Sequence, residues 1–290
     1  MSGKEKKLDL GYLTVAYKEW GEESDLTPVL LVHGWLDNAN SFDLVLSDLD
    51  LNRRFVALDL PGHGHSDHKP EGQLYHFLDG VGDLRRVIEA LGFKKVILVG
   101  HSLGAALSST FSSIYPELVE KVCLIEAVGP IASEEKDSAR QLKDSIDKQM
   151  KGTGLNMTTY AELEDMVAAR QKGIGGLSYE ASRKLVERSH KETENGYIWS
   201  TDPRLRLPSP MRLSESQVEG ILSKLSVPLK IIVAQKSLIP KPIIEQRLSY
   251  FDSPEFVTLP GGHHLHMEES ASQVAQELDV FINGSLVSAD

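Results

Sequence analysis

Two kinds of apolar spacing alternate along the first 126 residues. Val29-Leu30-Leu31-Val32, Phe55-Val56-Ala57-Leu58, Val96-Ile97-Leu98-Val99 and Val122-Cys123-Leu124-Ile125 are unbroken apolar runs. Such runs are expected of parallel strands covered on both faces. Between them, Phe42, Val45, Leu46 and Leu49 share one helical face, and Phe77, Val81, Leu84, Ile88 and Leu91 recur at the helical period up to Gly92. Over 10–20, Leu13, Val15 and Tyr17 alternate with polar residues, which predicts a half-exposed strand in an edge hairpin. Strands alternating with helices imply a mostly parallel, doubly wound α/β sheet.

The alternation stops near Gly129. From there to Val227 the pattern predicts helices and no strand. Ala139, Leu142, Ile146 and Met150 share one face; Tyr160, Leu163 and Val167 stand behind a Thr159-x-x-Glu162 capping box; Val218, Ile221, Leu222 and Leu225 stand behind Ser214-x-x-Gln217. Gly152-Thr153-Gly154, residues 173–176 and residues 203–210 read as loops. The sheet resumes with residues 229–234 and 255–259, and a final helix carries Ala271, Val274, Ala275, Leu278 and Phe281. The chain therefore divides into a core of residues 1–129 and 228–290 and a helical cap, residues 130–227, inserted after the sixth strand and lying over the carboxyl ends of the strands.

Composition narrows the function classes. A net charge of −11 argues against a nucleic-acid partner, which would need a basic face. The charged start and the lack of any long apolar run predict no secretory leader and no membrane span, and hence a cytoplasmic protein. Cys123 is the sole cysteine, so no internal disulfide can form, and its place in an apolar run makes it inert.

Ser102 is the centre of the candidate chemistry. Gly100-His101-Ser102-Leu103-Gly104 lies between the apolar run at 95–99 and a helical period of Leu103, Leu107, Phe111 and Ile114. Serine at a sharp strand-to-helix bend is pushed out beyond the end of the strand, and the glycines let strand and helix approach closely. Ligands in such sheets bind beyond the strand carboxyl ends. Besides Ser102, those ends carry 33–37, Glu126, 234–237 and Gly262-His263-His264-Leu265-His266. His63, His65 and His68 invite a metal reading, but no cysteine or suitably spaced carboxylate completes a shell. Asp59 and Asp67 are expected to brace their own loop.

The segments His33-Gly34-Trp35-Leu36-Asp37-Asn38, Asp59-Leu60-Pro61-Gly62-His63-Gly64, Gly100 to Gly104 and Gly262-His263 through Glu268 resemble the signatures of the α/β-hydrolase superfamily. With Thr201-Asp202-Pro203-Arg204-Leu205, they are most similar to serine hydrolase-like (Kraken-type) proteins. The resemblance implies Ser102 as nucleophile, His263 as base with His264 as the adjacent alternative, and the backbone amides of Trp35 and Leu103 as the oxyanion hole. It also implies a small-molecule ester or acyl substrate and no cofactor. His266 is expected as a structural imidazole near the last helix.

Most relatives place the acid in a Gly-x-x-Asp turn where this chain has Ala234-Gln235-Lys236-Ser237. Serine lacks the charge that stabilises an imidazolium. Glu126, 24 residues after Ser102, resembles the acid of haloalkane dehalogenases and coelenterazine-type luciferases, although a glutamate that merely ends a strand is the plainer alternative. Two functions follow: a serine esterase using Ser102, Glu126 and His263, or a non-catalytic, ligand-sensing member of the fold motivated by the altered turn at 234–237.

Overall fold

The computed structural model describes residues 3–152, 155 and 157–284. Strands β1 (Lys4–Asp9), β2 (Thr14–Trp20), β3 (Val29–Val32), β4 (Phe55–Leu58), β5 (Val96–His101) and β6 (Val119–Ile125) precede the inserted segment. The eight-stranded sheet has the order β1-β2-β4-β3-β5-β6-β9-β10, where β9 is Leu229–Ala234 and β10 is Glu255–Leu259. Every pairing from β4 through β10 is parallel, while β1-β2 and β2-β4 are antiparallel.

The continuous apolar runs are explained by burial on both faces. Leu30, Val32, Val56, Leu58 and Leu98 face α2 (Phe77–Ala90) and α3 (Leu103–Ile114). Val29, Leu31, Phe55, Ile97 and Val99 face α1 (Asp43–Ser47) and α9 (Ala271–Asn283). Each such side chain, moved from water, contributes about 1.5–3 kcal/mol. Cys123 is fully buried, and burial pushes its thiol well above the ordinary range.

The alternation over 10–20 has a different cause from the expected one. β2 is an inner strand, with β1 outside it, and its polar side chains are buried rather than solvated. Lys18 bonds Asp43 at 2.5 Å and Asn40 at 2.8 Å, while Glu19 takes Lys6 at 2.6 Å and Arg54 at 2.8 Å. Ion pairing replaces water around both charges.

Between β6 and β9 lie α4 (Ser138–Met150), α5 (Leu163–Gln171), α6 (Tyr179–Ser189), β7 (His190–Thr193), β8 (Gly196–Trp199) and α7 (Glu215–Leu222); α8 (Lys241–Leu248) follows β9. The antiparallel hairpin β7-β8 corrects the expectation that this segment has no strand. Its first strand, His190-Lys191-Glu192-Thr193, is polar and mostly exposed, so it carries no apolar period to read. Tyr160 pairs with Tyr197 through two 2.8 Å backbone bonds, which keeps residue 160 extended. Helix α5 therefore starts later than the Thr159-x-x-Glu162 spacing implies, and Glu162 is itself the N-cap of a box closed by Asp165. The Ser214–Gln217 box forms as read.

Helix α4 forms where expected but turns the other way. Ser145 is buried and donates to Pro208 O at 2.8 Å, and Gln141 donates to Ser209 O at 3.1 Å, so the polar side docks. Leu142, Ile146 and Met150 stay exposed. Of the expected Gly152-Thr153-Gly154 loop, Thr153 and Gly154 lie outside the described residues.

The inserted segment is tied to the loops at the strand carboxyl ends. Arg188 of α6 reaches Asp59 after β4 at 2.8 and 3.0 Å, Asn38 after β3 donates to Leu185 O at 2.8 Å, and Ser200 donates to Gly64 O at 3.0 Å. Asp59 also accepts the amides of Ala39 and His65 at 2.8 Å, so it braces two loops and a helix, whereas Asp67 accepts from Thr14, outside its own loop, at 2.9 Å.

Candidate active site

Strand β5 ends at His101, and Ser102 stands at φ 50°, ψ −113°, a conformation that costs an L-residue about 1–3 kcal/mol. Two contacts hold it there: its amide donates to Ile125 O at 2.9 Å, and its carbonyl accepts from Ala106 N at 3.0 Å. The glycines are obligatory for close approach. A Cβ on Gly104 would lie 1.9 Å from Val32 O, and one on Gly100 would lie 2.4 Å from Gly104 O.

His263 lies in the turn after β10, with Nε2 3.0 Å from Ser102 Oγ and Nδ1 3.0 Å from Glu126 Oε2. Glu126 follows β6 at φ 55°, its amide bonded to Ile232 O at 2.9 Å. Its carboxylate accepts Ala234 N at 2.6 Å and Ser237 Oγ at 3.1 Å. Burial pushes the Glu126 carboxyl up, but the bonds from His263, Ala234 and Ser237 outweigh burial and hold it below its ordinary value. A carboxylate can only accept, so the imidazole proton belongs on Nδ1, leaving the Nε2 lone pair for the Ser102 hydroxyl. Ser237 is thus a donor to Glu126, in the turn where most relatives carry the acid.

The amides of Trp35 and Leu103 donate to no acceptor among the described residues. The Trp35 indole donates to Leu205 O at 3.0 Å and so pins the inserted segment beside the first of these amides. The adjacent alternative, His264, pairs elsewhere, and His266 packs among buried rings. His264 Nε2 lies 3.5 Å from Asp37 Oδ2, and His266 is buried with its ring 4.1 Å from that of His101 and 5.6 Å from that of Phe42. His63 and His68 turn to separate carbonyls, of Pro61 at 3.1 Å and Ser200 at 2.8 Å.

Sequence reading missed a buried polar web beneath the site. His101 Nε2 bonds the carbonyl of His263 at 2.9 Å, and its Nδ1 faces Asp37 Oδ2 at 3.4 Å. Asp37 in turn pairs with Arg170 of α5. Burial, together with the neighbouring His264 and His263 and against the pull of Asp37, lowers the His101 imidazole to about 4, so the ring is neutral. For Asp37, burial acts upward but the surrounding His264, His101 and Arg170 outweigh it and hold the carboxyl well below its usual range. Asp37, His101 and His264 bring three ligand atoms within 4.8 Å of one another. The Arg170 guanidinium on that same carboxylate makes the set a poor dication site. Both Asp37 and His101 lie inside recognised motifs, where the expected roles fall to their neighbours.

Residues 27–170 match the family model described as alpha/beta hydrolase fold. A serine hydrolase-like protein of Danio rerio is 30% identical over 270 residues, covering 88% of this chain and 82% of that one. The crystal structure of a hypothetical protein from Pseudomonas aeruginosa PAO1 is 35% identical, with a TM-score of 0.90 over 97% of this chain and 98% of that one. The thioesterase domain from the curacin biosynthetic pathway is 27% identical, with a TM-score of 0.83 over 97% and 99%. The chain belongs to the α/β-hydrolase fold family. Within it, the likeness runs to serine hydrolase-like proteins, and the fold and these names support a hydrolase. Among the described residues no helix is long and apolar enough to cross a membrane.

Proposed function

We propose that the protein is a serine hydrolase that cleaves a small or medium-sized carboxylic ester, or a related acyl compound, through an acyl-enzyme. The observation that carries this reading is the unbroken chain from Ser102 Oγ to His263 to Glu126, with both contacts at 3.0 Å. Ser102 Oγ attacks the acyl carbon while His263 Nε2 takes its proton. Glu126 holds the Nδ1 proton and stabilises the imidazolium that forms. The tetrahedral oxyanion is bound by the amides of Trp35 and Leu103, each worth roughly a hundredfold or more in rate. Nε2 then gives its proton to the leaving alcohol as the C–O bond breaks. A water deprotonated by His263 attacks the acyl-enzyme, Ser102 Oγ leaves and regains its proton, and the carboxylic acid departs.

In this reading residues 130–227 form the cap, residues 1–129 and 228–290 form the core, and the protein works in the cytoplasm on small molecules without a cofactor. The thioesterase likeness supports acyl chemistry. The binding-protein alternative drew on the turn at 234–237, and the Ala234 and Ser237 bonds to Glu126 give that turn a use within a catalytic reading. A series of p-nitrophenyl esters and a fluorophosphonate probe test the proposal. Turnover and covalent labelling are expected of the wild type and not of Ser102→Ala; folded wild-type protein that neither turns over an ester nor takes the label refutes it.

A further inference from the structure

The main chain does little to hold residue 263. Among the described residues neither its amide nor its carbonyl enters a backbone–backbone hydrogen bond, whereas Gly262 O takes Leu265 N at 3.0 Å and His264 O takes Met267 N at 2.7 Å. Two glycines precede it, one of them Gly261 at φ 106°, so the local sequence leaves the turn loose. A side chain holds the His263 carbonyl instead: His101 Nε2, at 2.9 Å.

His101 lies between that carbonyl and Asp37. Asp37 Oδ2 faces His101 Nδ1 at 3.4 Å and His264 Nε2 at 3.5 Å. One carboxylate oxygen therefore draws on both flanks of His263: the ring bonded to its carbonyl and the ring of the next residue. These contacts are looser than good hydrogen bonds, but all three groups are buried, so little water screens the charge. Gly34 makes the room, since a Cβ added there would lie 2.8 Å from both Asp37 Oδ2 and His101 Nδ1.

Asp37 is fixed from two further sides. Its amide donates to Gly34 O at 3.1 Å, closing the turn that presents Trp35, and its Oδ1 accepts Arg170 of α5. His101 is also the residue before Ser102. The loop after β3, the elbow, the turn after β10 and the inserted segment thus meet at one carboxylate.

From this geometry we infer that Asp37 is a positioning residue: acting through His101 and His264 it sets His263 against Ser102 and Glu126, and Arg170 ties the inserted segment to that setting. This rests on the serine hydrolase reading, in which His263 is the base. A misplacement of about 1 Å at a reacting group costs about a hundredfold, so a smaller loosening should show in kcat and not in KM.

The test removes both charges together, so that no partner is left buried and unpaired. Asp37→Asn/Arg170→Met is expected to melt above Asp37→Asn alone. Its kcat for a p-nitrophenyl ester, counted per fluorophosphonate-reactive Ser102, should still fall by about fivefold or more with KM little changed. A purely structural carboxylate would let kcat recover with the melting temperature, so a smaller fall overturns the inference. Should that variant not fold, His264→Leu and His264→Gln decide, because glutamine keeps an N–H donor where Nε2 stands and leucine does not. Leucine should lower kcat by about fivefold or more at unchanged KM and glutamine should recover most of it. Equal rates in the two, high or low, overturn the inference. Throughout, a wild type that cleaves the ester and labels at Ser102 leaves the hydrolase reading standing; a folded wild type that does neither refutes that reading and the inference with it.

Discussion

Replacing Glu126 with glutamine is the sharpest probe of the site, because it removes a charge and almost no volume. The new carboxamide would keep an oxygen for the Ala234 amide, now 2.6 Å from Oε1 of Glu126, but would present an NH2 group where Oε2 faces His263 Nδ1 at 3.0 Å. Two donors cannot share that contact, so the imidazole is driven to the tautomer with its proton on Nε2, where it cannot accept from Ser102. The lost attraction between carboxylate and imidazolium, with charge centres about 4 Å apart at an effective dielectric near 20, is about 4 kcal/mol. Together these predict a fall in kcat of about 10³ to 10⁴ with KM little changed. Steady-state hydrolysis of a p-nitrophenyl ester and the rate of fluorophosphonate labelling both read this out, with circular dichroism confirming the fold. Adding Ser237→Asp to that variant should recover part of the rate, since Ser237 Oγ lies 3.1 Å from Oε2 of Glu126. A Glu126→Gln protein that keeps more than a tenth of the wild-type kcat, while Ser102→Ala loses activity, would show that Glu126 is not the acid.

Three further outcomes follow from the surroundings. Asp37→Asn leaves the largely buried Arg170 without its counterion and should cost about 3–5 kcal/mol, a drop in Tm of roughly 10 °C that Arg170→Met partly restores; a change under about 1 kcal/mol in denaturant titration would refute the pairing. Gly104→Ala forces a methyl to within 1.9 Å of Val32 O, so a loss of about 4 kcal/mol or more, or failure to fold, is expected, and a wild-type melting curve would contradict it. Burial lowers His33 to about 3 and His63 and His101 to about 4. The unfolded chain binds these protons first, so their contribution is whole above about pH 6.5 and is lost as pH falls towards 4, about 2 kcal/mol each by pH 5. Denaturant titrations from pH 7 to 4.5 should slope steeply, and a flat profile would show the rings are not held neutral.

The sheet was legible in the sequence because strands buried on two faces leave short apolar runs that alternate with helical periods, and the elbow was legible because glycine spacing at a strand end has few other uses. His263 Nδ1 lies 3.0 Å from Glu126 Oε2, two residues that the sequence had already singled out. What stayed hidden depended on partners far apart in the chain. Arg170 and Asp37 stand 133 residues apart, and neither residue alone signals the other. The hairpin of β7 and β8 escaped because four polar residues carry no period, and α4 misled because its docking is done by Ser145 and Gln141 and not by its apolar stripe.

With the proposed acid placed just after β6, two of the three groups in the relay are coupled through a single rung of the sheet. The Ser102 amide bonds Ile125 O at 2.9 Å, and Glu126 is the next residue. Serine and glutamate therefore ride on one stiff pair of adjacent strands, and breathing of the protein cannot easily change their separation. The histidine comes from a third place in the chain, the turn after β10. Any motion that breaks the relay must work by swinging that turn, and the segment leading through Gly175, lying against His263, is the part of the molecule best placed to do so.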